Sequence, residues 1–409
     1  MASKPNIRFN DFSDEWEEIE LNKIAERITR KNTNLESTLP LTISAQYGLV
    51  DQRDFFNAQI ASKDVSGYFL LKKGEFAYNK SYSSEYPFGT IKRLDKYEMG
   101  VLSTLYILFS HKNINSDFLL HYYDSNYWHN EITKIAAEGA RNHGLLNIAP
   151  EDFFNTKLKV TKNENEQKVI GLFFTQITSL IDSTQEKLEK TIILKKSMLE
   201  KMFPKDGAKA PELRFAGFTD DWKEKELGKY AEKITEKNTD NQYSDVFTNS
   251  AEYGIISQNE YFEREIANKN NLSGYYVAKP DVFVYNPRVS KTAPVGPIKR
   301  NKLGRIGVLS PLYFVFQTHD YDLTFLDYFF DGNTWHQFMR DNGNTGARFD
   351  RFSINEDSFL KMPIPTPSRE EQKQIGTFFV QMDSLIYSYR NELEKLKTIK
   401  KSLLEKMFV

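Results

Sequence analysis

Cysteine is absent from all 409 residues, so the chain has neither disulfides nor thiolate metal sites. This absence suits a reducing compartment. No stretch approaches the roughly 18 uncharged apolar residues of a membrane-spanning helix, and the first residues lack the apolar run of a signal peptide. The sequence therefore predicts a soluble protein with cytoplasmic localisation and no membrane partner.

An excess of charge of either sign is also absent. Lys and Arg total 55 against 56 Asp and Glu, which gives a formal net charge of −1. Nucleic-acid-binding proteins are often basic overall, so any DNA-binding surface must be a local patch on an otherwise acidic body. The hydrophobic content of 40% and aromatic content of 14% are enough to build folded cores.

Catalytic signatures are missing as well. There is no GxxxxGK[ST] phosphate loop and no GxGxxG after a predicted strand. The Asp/Asn-Pro-Pro-aromatic loop with which an amino-methyltransferase holds a flipped base is absent too, and "YNPR" at 285–288 is its nearest approach. His129 and His336 each follow a tryptophan and are better explained as structural than as metal ligands. These absences argue against an enzyme and against a bound metal or cofactor.

An internal repeat is the strongest signal that is present. Residues 7–33 align with residues 213–239, at an offset of 206 positions, and the alignment continues to "EQKVIGLFF" at 166–174 and "EQKQIGTFF" at 371–379. Each copy ends alike, with "KKSMLEKMF" at Phe203 and "KKSLLEKMF" at Phe408. The chain is therefore a tandem duplication of one unit of about 205 residues, a period far too long for a solenoid.

Each copy reads as an α+β domain followed by a long amphipathic helix. Short apolar–aromatic runs such as "GYFLLKKGEFAYN" predict strands, and apolar residues at steps of three and four predict helices of about 40 residues. We expect the two helices to pair as an antiparallel coiled coil; two separate surface helices are the alternative. The predicted boundaries are 1–162 for the first α+β domain, 163–203 for the central helix, 204–212 for a linker, 213–367 for the second α+β domain and 368–409 for the C-terminal helix.

The order of the repeats predicts a circular arrangement, in which the end of the second copy lies next to the start of the first. The linker after Phe203 leads into "LRF", and the N-terminal segment leads into the matching "IRF" at Ile7. If the second copy continued beyond Phe408, it would run into Ile7. We therefore expect the two end segments of the chain to lie close together.

Candidate DNA-binding residues come from comparing the two copies. A duplicated reader should share its phosphate contacts and differ where it reads bases. The copies share polar residues at "GAR", at the Lys-Arg pair after "G-[TP]-I" and at one strand-end asparagine, and they differ in loops 80–88 and 287–295 and just after "GAR". The candidates are Asn79, Lys80, Tyr82, Ser83, Lys92, Arg93, Arg141, Asn142, His143, Asn286, Arg288, Ser290, Lys291, Lys299, Arg300 and Arg348.

Each of these readings has a structural alternative. The arginine of "GAR" can bind a phosphate or a guanine edge bidentately, or it can form a structural salt bridge. The Lys-Arg pair can lie at a solvated strand end. The diverged loops are rich in hydrogen-bonding side chains, as base reading requires, but ordinary drift of loop sequences explains them equally well.

This organisation resembles the specificity subunit of type I restriction-modification systems over essentially the whole chain. The matching segments are "SGYFLLKKGEFAYN", "GVLSTLYILF", "GAR" and above all "MPIPTPSREEQKQIGTFFVQMDSLI" from Met362. In the first copy this last segment has none of the three prolines and has Thr178 in place of Asp383. That difference leaves the start of the first long helix without a predicted cap.

The resemblance implies a non-catalytic subunit with two target-recognition domains. Each domain would read one half of a bipartite, asymmetric target in double-stranded DNA, and the paired helices would set the spacing and dock two methyltransferase subunits. Two motor-nuclease subunits would complete the restriction enzyme. S-adenosylmethionine, ATP and Mg would be bound by those partners and not by this chain. The alternatives are a two-headed helical scaffold without sequence-specific DNA binding and, less favoured by the missing motifs, an enzyme in its own right.

Overall fold

The structure, a computed structural model, describes residues 4–45, 47–57, 61–136, 144–205, 207–261, 272–345 and 350–409. It divides into two compact units. Unit 1 comprises Met1–Glu186 together with Asn391–Val409, and unit 2 comprises Lys187–Arg390. None of the helices in the described part of the chain combines the length with the apolar composition that a membrane crossing requires.

Unit 1 is built from short antiparallel strands and short helices. A four-stranded sheet has the order β2-β9-β6-β7, and β1–β10, β3–β4 and β5–β8 form separate pairs. The elements are β1 (Glu17–Glu20), α1 (Leu21–Ile24), β2 (Ala25–Ile28), β3 (Leu41–Ser44), β4 (Gly48–Asp51), α2 (Gln52–Phe56), β5 (Phe69–Lys72), β6 (Phe76–Asn79), β7 (Thr90–Arg93), β8 (Met99–Leu102), β9 (Ile107–His111), α3 (Ser116–Asp124), α4 (His129–Ile135), α5 (Pro150–Phe154), β10 (Lys157–Val160) and the start of the long helix α6 (Glu164–Lys201).

Unit 2 repeats this topology, with a 3-10 turn in place of α1 and with one further described strand pair, β20–β21. Its four-stranded sheet has the order β12-β19-β16-β17, with pairs β11–β22, β13–β14, β15–β18 and β20–β21. The elements are β11 (Lys223–Glu226), a 3-10 turn (Leu227–Lys229), β12 (Ala231–Lys233), β13 (Phe247–Ser250), β14 (Gly254–Ser257), α7 (Gln258–Tyr261), β15 (Tyr276–Ala278), β16 (Phe283–Tyr285), β17 (Ile298–Arg300), β18 (Gly307–Leu309), β19 (Phe314–Thr318), α8 (Leu323–Asp331), α9 (His336–Asn342), β20 (Asn344–Thr345), β21 (Phe352–Ser353), α10 (Glu356–Leu360), β22 (Pro363–Thr366) and the start of α11 (Arg369–Met407). The predicted duplication of an α+β fold is confirmed.

Cross-strand aromatic pairs explain why the apolar–aromatic runs form these sheets. In unit 1, Phe76 of β6 stacks on Phe109 of β9 with ring centroids 5.1 Å apart. The matching pair in unit 2 is Phe283 and Phe316, at 5.5 Å. All four rings are fully buried. Opposed aromatic side chains stabilise neighbouring strands, so both sheets are organised around the same stacked pair.

The two long helices are paired in antiparallel fashion, as predicted. In unit 1 the first part of α6 packs against the end of α11, where Phe174 and Phe408 stack at 5.8 Å. In unit 2 the first part of α11 packs against the end of α6, where Phe379 and Phe203 stack at 6.3 Å. Because the start of each helix meets the end of the other in both units, the helices run in opposite directions, and the alternative of two separate surface helices is wrong.

The repeated "LEKMF" segment supplies the aromatic core of the domain it joins. Phe408 contacts Trp16 and Phe118 in unit 1, and Phe203 contacts Phe325 in unit 2. Each of these two phenylalanines is 1% exposed. The motif that ends the second repeat therefore completes the core of the first domain.

The same hydrogen bond closes the cycle in both units. The Ile7 N–H donates to the Lys406 carbonyl at 2.9 Å, and the Leu213 N–H donates to the Lys201 carbonyl at 2.9 Å. In unit 2 the 204–212 linker connects the two partners through the chain. In unit 1 the two partners lie about 400 positions apart in the sequence, and the same bond still forms. The predicted proximity of the two end segments is confirmed.

We expect a circular permutant to fold with nearly wild-type stability. It joins residue 408 to residue 7 by a copy of the 204–212 linker and opens the chain between Gly207 and Ala208. Since both junctions reproduce contacts already present, the free energy of unfolding should stay within about 1 kcal/mol of wild type in urea titrations. A second permutant, opened between Ile192 and Ile193 inside α6, should lose far more; equal losses in both would contradict the equivalence of the two junctions.

Both long helices begin with a side-chain cap. The sequence "TPSREEQ" at 366–372 predicts Ser368 as an N-cap. This is confirmed, because the Ser368 hydroxyl accepts a hydrogen bond from the Glu371 N–H at 3.2 Å. In the first copy the Asn163 side chain accepts from the Asn165 and Glu166 N–H groups and fills the position that the sequence left without a cap. The helices are slightly shorter than predicted because these caps lie outside them and the final residues of "LEKMF" turn into the core.

Gly171 and Gly376 occupy the same repeat position, where each long helix approaches the N-terminus of a neighbouring helix. A Cβ on Gly171 would lie 2.8 Å from Asn115 Oδ1 and from the Phe118 nitrogen, whereas on Gly376 it would lie 3.2 Å from the Phe325 nitrogen. We expect Gly171→Ala to destabilise the protein by about 1–3 kcal/mol through overpacking. The matched Gly376→Ala should be nearly neutral, since the gain of about 1 kcal/mol in helix propensity offsets the milder contact. Urea unfolding measures both, and a larger loss from Gly376→Ala would contradict this reading.

Candidate nucleic-acid interface

The two diverged segments of unit 1 lie side by side, although about 60 residues separate them in the sequence. Ser81 pairs with Leu145 in an antiparallel bridge. The Tyr82 N–H donates to the Gly144 carbonyl at 2.9 Å, and the Leu146 N–H donates to the Lys80 carbonyl at 3.0 Å. Loop 80–88 and residues 144–146, which belong to the described part of the segment after "GAR", therefore form one surface.

Unit 2 makes the same arrangement with different side chains. Arg288 pairs with Arg351 in an antiparallel bridge. The Val289 N–H donates to the Asp350 carbonyl at 3.0 Å, and the Phe352 N–H donates to the Pro287 carbonyl at 2.7 Å. The two regions of greatest divergence between the copies are thus adjacent in each unit, which drift of unrelated loops does not require.

A glycine holds the base of each loop. Gly89 has φ +75° and Gly296 has φ +85°, in the left-handed region that other residues rarely adopt. A Cβ at Gly89 would lie 2.1 Å from the Asn79 carbonyl oxygen, and one at Gly296 would lie 2.2 Å from the Asn286 carbonyl oxygen. The glycine of "G-[TP]-I" is therefore required by the close return of the loop to its own starting strand.

The two loops also share one internal turn. The Ser83 N–H donates to the Tyr86 carbonyl at 3.1 Å, and the Ser290 N–H donates to the Ala293 carbonyl at 3.0 Å. Each serine hydroxyl accepts the return hydrogen bond, from the Tyr86 N–H at 3.2 Å and from the Ala293 N–H at 3.1 Å. We call residues 81–87 display loop 1 and residues 288–294 display loop 2, because a common main-chain frame presents different side chains.

The side chains of the display loops are largely accessible. All seven residues of display loop 1 are exposed, and both Tyr82 and Tyr86 are 40% exposed. In display loop 2, Arg288, Ser290 and Lys291 are exposed. These positions can contact a partner without any change in the packed core below them. The predicted candidates Tyr82, Ser83, Arg288, Ser290 and Lys291 all belong to this accessible set.

A hairpin tip with a shared tyrosine lies beside each display loop. Tyr47 is 46% exposed and Tyr253 is 54% exposed. Their main-chain N–H groups donate to Ser44 and Ser250 hydroxyls, so both tips have the same turn. Tyr47 shares a groove with Tyr86 of display loop 1. Sequence reasoning did not select these tyrosines, although "SA[QE]YG" repeats an aromatic residue just before a turn glycine.

The Lys-Arg pair of unit 1 is engaged in ion pairs at a strand end. Lys92 Nζ lies 2.7 Å from Asp124 Oδ1, and Arg93 contacts Asp95 and Asp117, both at 2.7 Å. Both cationic side chains are less than 20% exposed. The pair does lie at a strand end, but its ion pairs and low exposure differ from the solvated strand end given as the alternative. Its role in DNA binding stays a prediction.

The Lys-Arg pair of unit 2 is engaged in the same way. Lys299 Nζ lies 2.5 Å from Asp331 Oδ1. Arg300 contacts Asp327 at 2.7 Å and Asp281 at 2.9 Å, and its side chain is 14% exposed. The aspartates at 124 and 331 occupy the same repeat position, so both copies use the pair to attach β7 or β17 to the following helix.

The remaining candidates in the described residues are Asn79, Asn286 and Lys80, which lie at the base of the display loops. Asn79 and Asn286 accept hydrogen bonds from the N–H groups two residues later, at 3.0 Å each, and Asn286 is 9% exposed. Lys80 is half-buried with Nζ 3.4 Å from the Ile148 carbonyl, and burial lowers the pKa of its ammonium group. These contacts fix the strand ends from which the display loops depart. Arg141, Asn142, His143 and Arg348 lie outside the described residues.

The two tryptophan–histidine pairs are packed, as the sequence suggested. His129 lies 4.7 Å from Trp128, and His336 lies 4.5 Å from Trp335, measured between ring centroids. Burial lowers the pKa of His129, and it lowers the pKa of His336 to about 4. Across the described ranges, no group of three or more His, Asp or Glu side chains is arranged to hold a metal ion.

Comparison with known proteins identifies the fold. The chain matches no protein-family model and no curated protein. Among solved structures it is similar to the S subunit of a type I restriction-modification system from M. genitalium, with a TM-score of 0.57, 13% identity and coverage of 99% of each chain. It is also similar to a chain from a study of complex assembly and conformational transition of the type I R-M system, with a TM-score of 0.50, 17% identity and coverage of 96% of this chain and 97% of that one.

A third similar structure is the HsdS subunit of Thermoanaerobacter tengcongensis, at a TM-score of 0.45, 16% identity and coverage of 96% of each chain. The full coverage of the M. genitalium S subunit means that the whole chain, with both domains and both long helices, has the fold of a type I specificity subunit. The predicted resemblance is thereby confirmed at the level of the fold.

Proposed function

We propose that this chain is the DNA sequence-specificity subunit of a type I restriction-modification enzyme. Each target-recognition domain reads one half of a bipartite, asymmetric target in double-stranded DNA. The observation that supports this best is the pair of display loops, in which one hydrogen-bonded frame occurs twice with different exposed side chains. A frame that stays constant while its side chains vary is what sequence-specific reading of two different half-sites requires.

The local chemistry of the display surfaces suits DNA. Display loop 1 presents hydroxyl groups of serine and tyrosine, and display loop 2 presents arginine, lysine and serine. These side chains offer the hydrogen-bond donors that base edges and phosphates accept. Both surfaces also include an exposed tyrosine in a fixed turn, which can contact the sugar–phosphate backbone in either half-site. The near-zero net charge is consistent with reading by local patches while partner subunits supply further phosphate contacts.

The long helices are the proposed docking sites for two methyltransferase subunits, and their pairing sets the spacing between the half-sites. Large apolar side chains are exposed along them: Leu172 and Leu180 in unit 1 are 57% and 46% exposed, and Ile193 and Tyr387 in unit 2 are both 68% exposed. Exposed apolar side chains that lie together are a feature of protein-binding surfaces, and we propose these four as contacts for the methyltransferase subunits. Two motor-nuclease subunits would join for restriction.

In this assembly the chain itself performs no chemistry. S-adenosylmethionine would be bound by the methyltransferase subunits, which methylate adenine, and ATP and Mg by the motor-nuclease subunits. The role of this chain is to select the sequence on which those partners act.

Methylome sequencing tests the proposal. The chain is expressed with a cognate methyltransferase subunit in a host that lacks its own DNA methylation. The expected result is a bipartite motif with a fixed gap and one modified adenine on each strand. A complex that assembles but modifies no defined motif would overturn the proposal and favour the alternative of a two-headed helical scaffold without sequence-specific DNA binding.

A further inference from the structure

Two arginines face each other on the display surface of unit 2. Arg288 and Arg351 are partners in an antiparallel bridge, and the flanking hydrogen bonds run from Val289 to Asp350 and from Phe352 to Pro287. This pattern is that of a non-hydrogen-bonded pair, in which opposite residues approach most closely and project to the same face. Both arginines are exposed.

No acidic side chain in the described part of the chain forms an ion pair with either of these arginines. Within the described residues, neither guanidinium takes part in an ion pair or a side-chain hydrogen bond, and Asp350, next to Arg351 in the chain, forms none with it. Like charges on directly opposite residues destabilise a strand pair. The arginines of the strand ends behave differently, since Arg93 and Arg300 each contact two aspartates. The Arg288–Arg351 pair is therefore suited to an acceptor that comes from outside the chain.

A groove lies beside the arginine pair, and two side-chain oxygens of its lining residues lack hydrogen-bond donors. Arg288 and Arg351 line it together with Ser290, Asn249 and Gln258. Asn249 is 2% exposed, its amide donates to the Val284 and Pro297 carbonyls, and its Oδ1 accepts no hydrogen bond. Gln258 Oε1 is likewise buried without a donor. Buried acceptors without donors are uncommon in folded proteins, and both of these belong to residues that line the groove beside the arginine pair.

Comparison of the two copies separates base reading from phosphate binding. The residues of unit 1 that correspond to Arg288 and Arg351 are Ser81 and Leu145, which form the same bridge. Neither is charged. A phosphate contact serves any sequence and is expected in both domains, whereas a base contact is expected to differ between them. The arginine pair is present in one copy only, so it fits a base contact and not a phosphate contact.

We infer that Arg288 and Arg351 read guanine in the half-site that unit 2 recognises. A guanidinium donates two parallel hydrogen bonds to guanine O6 and N7 in the major groove, and this is the commonest specific contact between proteins and DNA. Unit 1 has Ser81 and Leu145 at the corresponding positions, and neither side chain can form this bidentate contact with guanine. The inference rests on the proposed function and adds to it the base class that one half-site contains and the residues that recognise it.

The test exchanges the pair for the residues of the other copy. The variant Arg288→Ser with Arg351→Leu is assembled with the methyltransferase subunit, and methylation kcat/KM is measured on duplexes with each base pair at each position of the second half-site. The expected result is a loss of about 5- to 150-fold in the preference for guanine at one or two positions. Discrimination in the first half-site should be unchanged.

A charge-conserving variant distinguishes guanine from phosphate. Arg288→Lys with Arg351→Lys keeps both charges but loses the bidentate fork, so it too should lose the guanine preference. A uniform loss across all sequences with a shallower salt dependence would instead indicate phosphate contacts and overturn the inference. Unchanged discrimination in the exchanged variant, or a change in the first half-site, would overturn it as well. In each of these cases the wild-type complex still yields its bipartite motif, whereas a wild type without a motif would overturn the proposed function itself.

Discussion

Replacing Glu371 by leucine is expected to destabilise unit 2 by about 3–5 kcal/mol, because it leaves Arg214 charged and without a partner in a buried place. Arg214 Nε and Nη2 donate to the two Glu371 oxygens at 2.6 and 2.8 Å, a bidentate geometry. The Glu371 side chain is fully buried and that of Arg214 is 14% exposed. Urea unfolding, with native-state hydrogen exchange to resolve the two units, measures the loss.

The double variant Arg214→Met with Glu371→Leu is the control. It removes both charges and replaces them with apolar groups of similar size, which in buried pairs is often neutral or stabilising. The part of the loss that comes from the unpaired Arg214 charge should therefore return, whereas the hydrogen bond from Trp222 to Glu371 stays lost. If the double variant were as unstable as the single one, packing and not the stranded charge would be the cause, and the role given to the ion pair would be wrong.

Unit 1 provides a matched comparison. Arg8 and Glu166 repeat the pair at the same two distances, 2.6 and 2.8 Å. The tryptophans differ, however: Trp222 Nε1 donates to Glu371 at 3.1 Å, whereas Trp16 Nε1 is buried and has no acceptor among the residues that the structure describes. Since a hydrogen bond to a charged group contributes about 1.5–3 kcal/mol, Glu371→Leu should cost more than Glu166→Leu by roughly that amount.

Glu371 also shows where sequence reasoning reached its limit. "TPSREEQ" predicts a capping box, and Ser368 does cap the helix. The second half of that motif, a return bond from the glutamate side chain, does not form, because the carboxylate binds Arg214, 157 positions away. Local sequence patterns predict hydrogen bonds between nearby residues. The partner of a buried charge depends on the tertiary fold, and residue spacing does not predict it.

The display surface was predictable in part. Divergence between the copies identified loops 80–88 and 287–295, because an internal repeat supplies its own comparison. The antiparallel bridges that join Ser81 to Leu145 and Arg288 to Arg351 were not predictable, since they link segments about 60 residues apart. Arg351 consequently escaped the sequence-based selection even though Arg288 was included. The strand-end cations were selected, but their aspartate partners come from other elements of the fold.

Unit 1 contains a buried charge cluster around Asp124 that its copy lacks. Asp124 contacts Lys92 at 2.7 Å, His121 at 3.2 Å and Lys400 at 3.1 Å. In unit 2 the lysine that corresponds to Lys400 contacts an aspartate on α11 instead, Asp383, at 2.5 Å. The first copy has Thr178 at that helix position, so the carboxylate that pairs with its lysine comes from Asp124 of α3. Asp124 thus takes the place of the aspartate that Thr178 replaces.

The charge states of this cluster determine how unit 1 responds to acid. Burial alone would raise the pKa of the Asp124 carboxyl, but Lys92, His121 and Lys400 outweigh it and hold that pKa well below its ordinary value of 3.8. Burial lowers the pKa of His121 below 6.5. Both groups therefore bind fewer protons in the folded state than in the unfolded state, so the stability of unit 1 rises with pH across their titration. Stability should begin to fall as the pH drops below about 6.5 and fall further below about 4.

Asp124→Asn is accordingly expected to destabilise unit 1 by about 3–5 kcal/mol at pH 7, because Lys92 and Lys400, each less than 20% exposed, remain charged without a carboxylate. The difference from wild type should narrow below about pH 4, where the wild-type stabilisation is lost as its own carboxyl takes up a proton. Asp331→Asn is the matched control: the same repeat position in unit 2 contacts Lys299 and is 27% exposed, so a loss of about 1 kcal/mol is expected. Urea unfolding from pH 3 to pH 8 measures all three proteins. A loss that stayed constant with pH, or equal losses at the two positions, would mean that the cluster is not the source of the stability assigned to it.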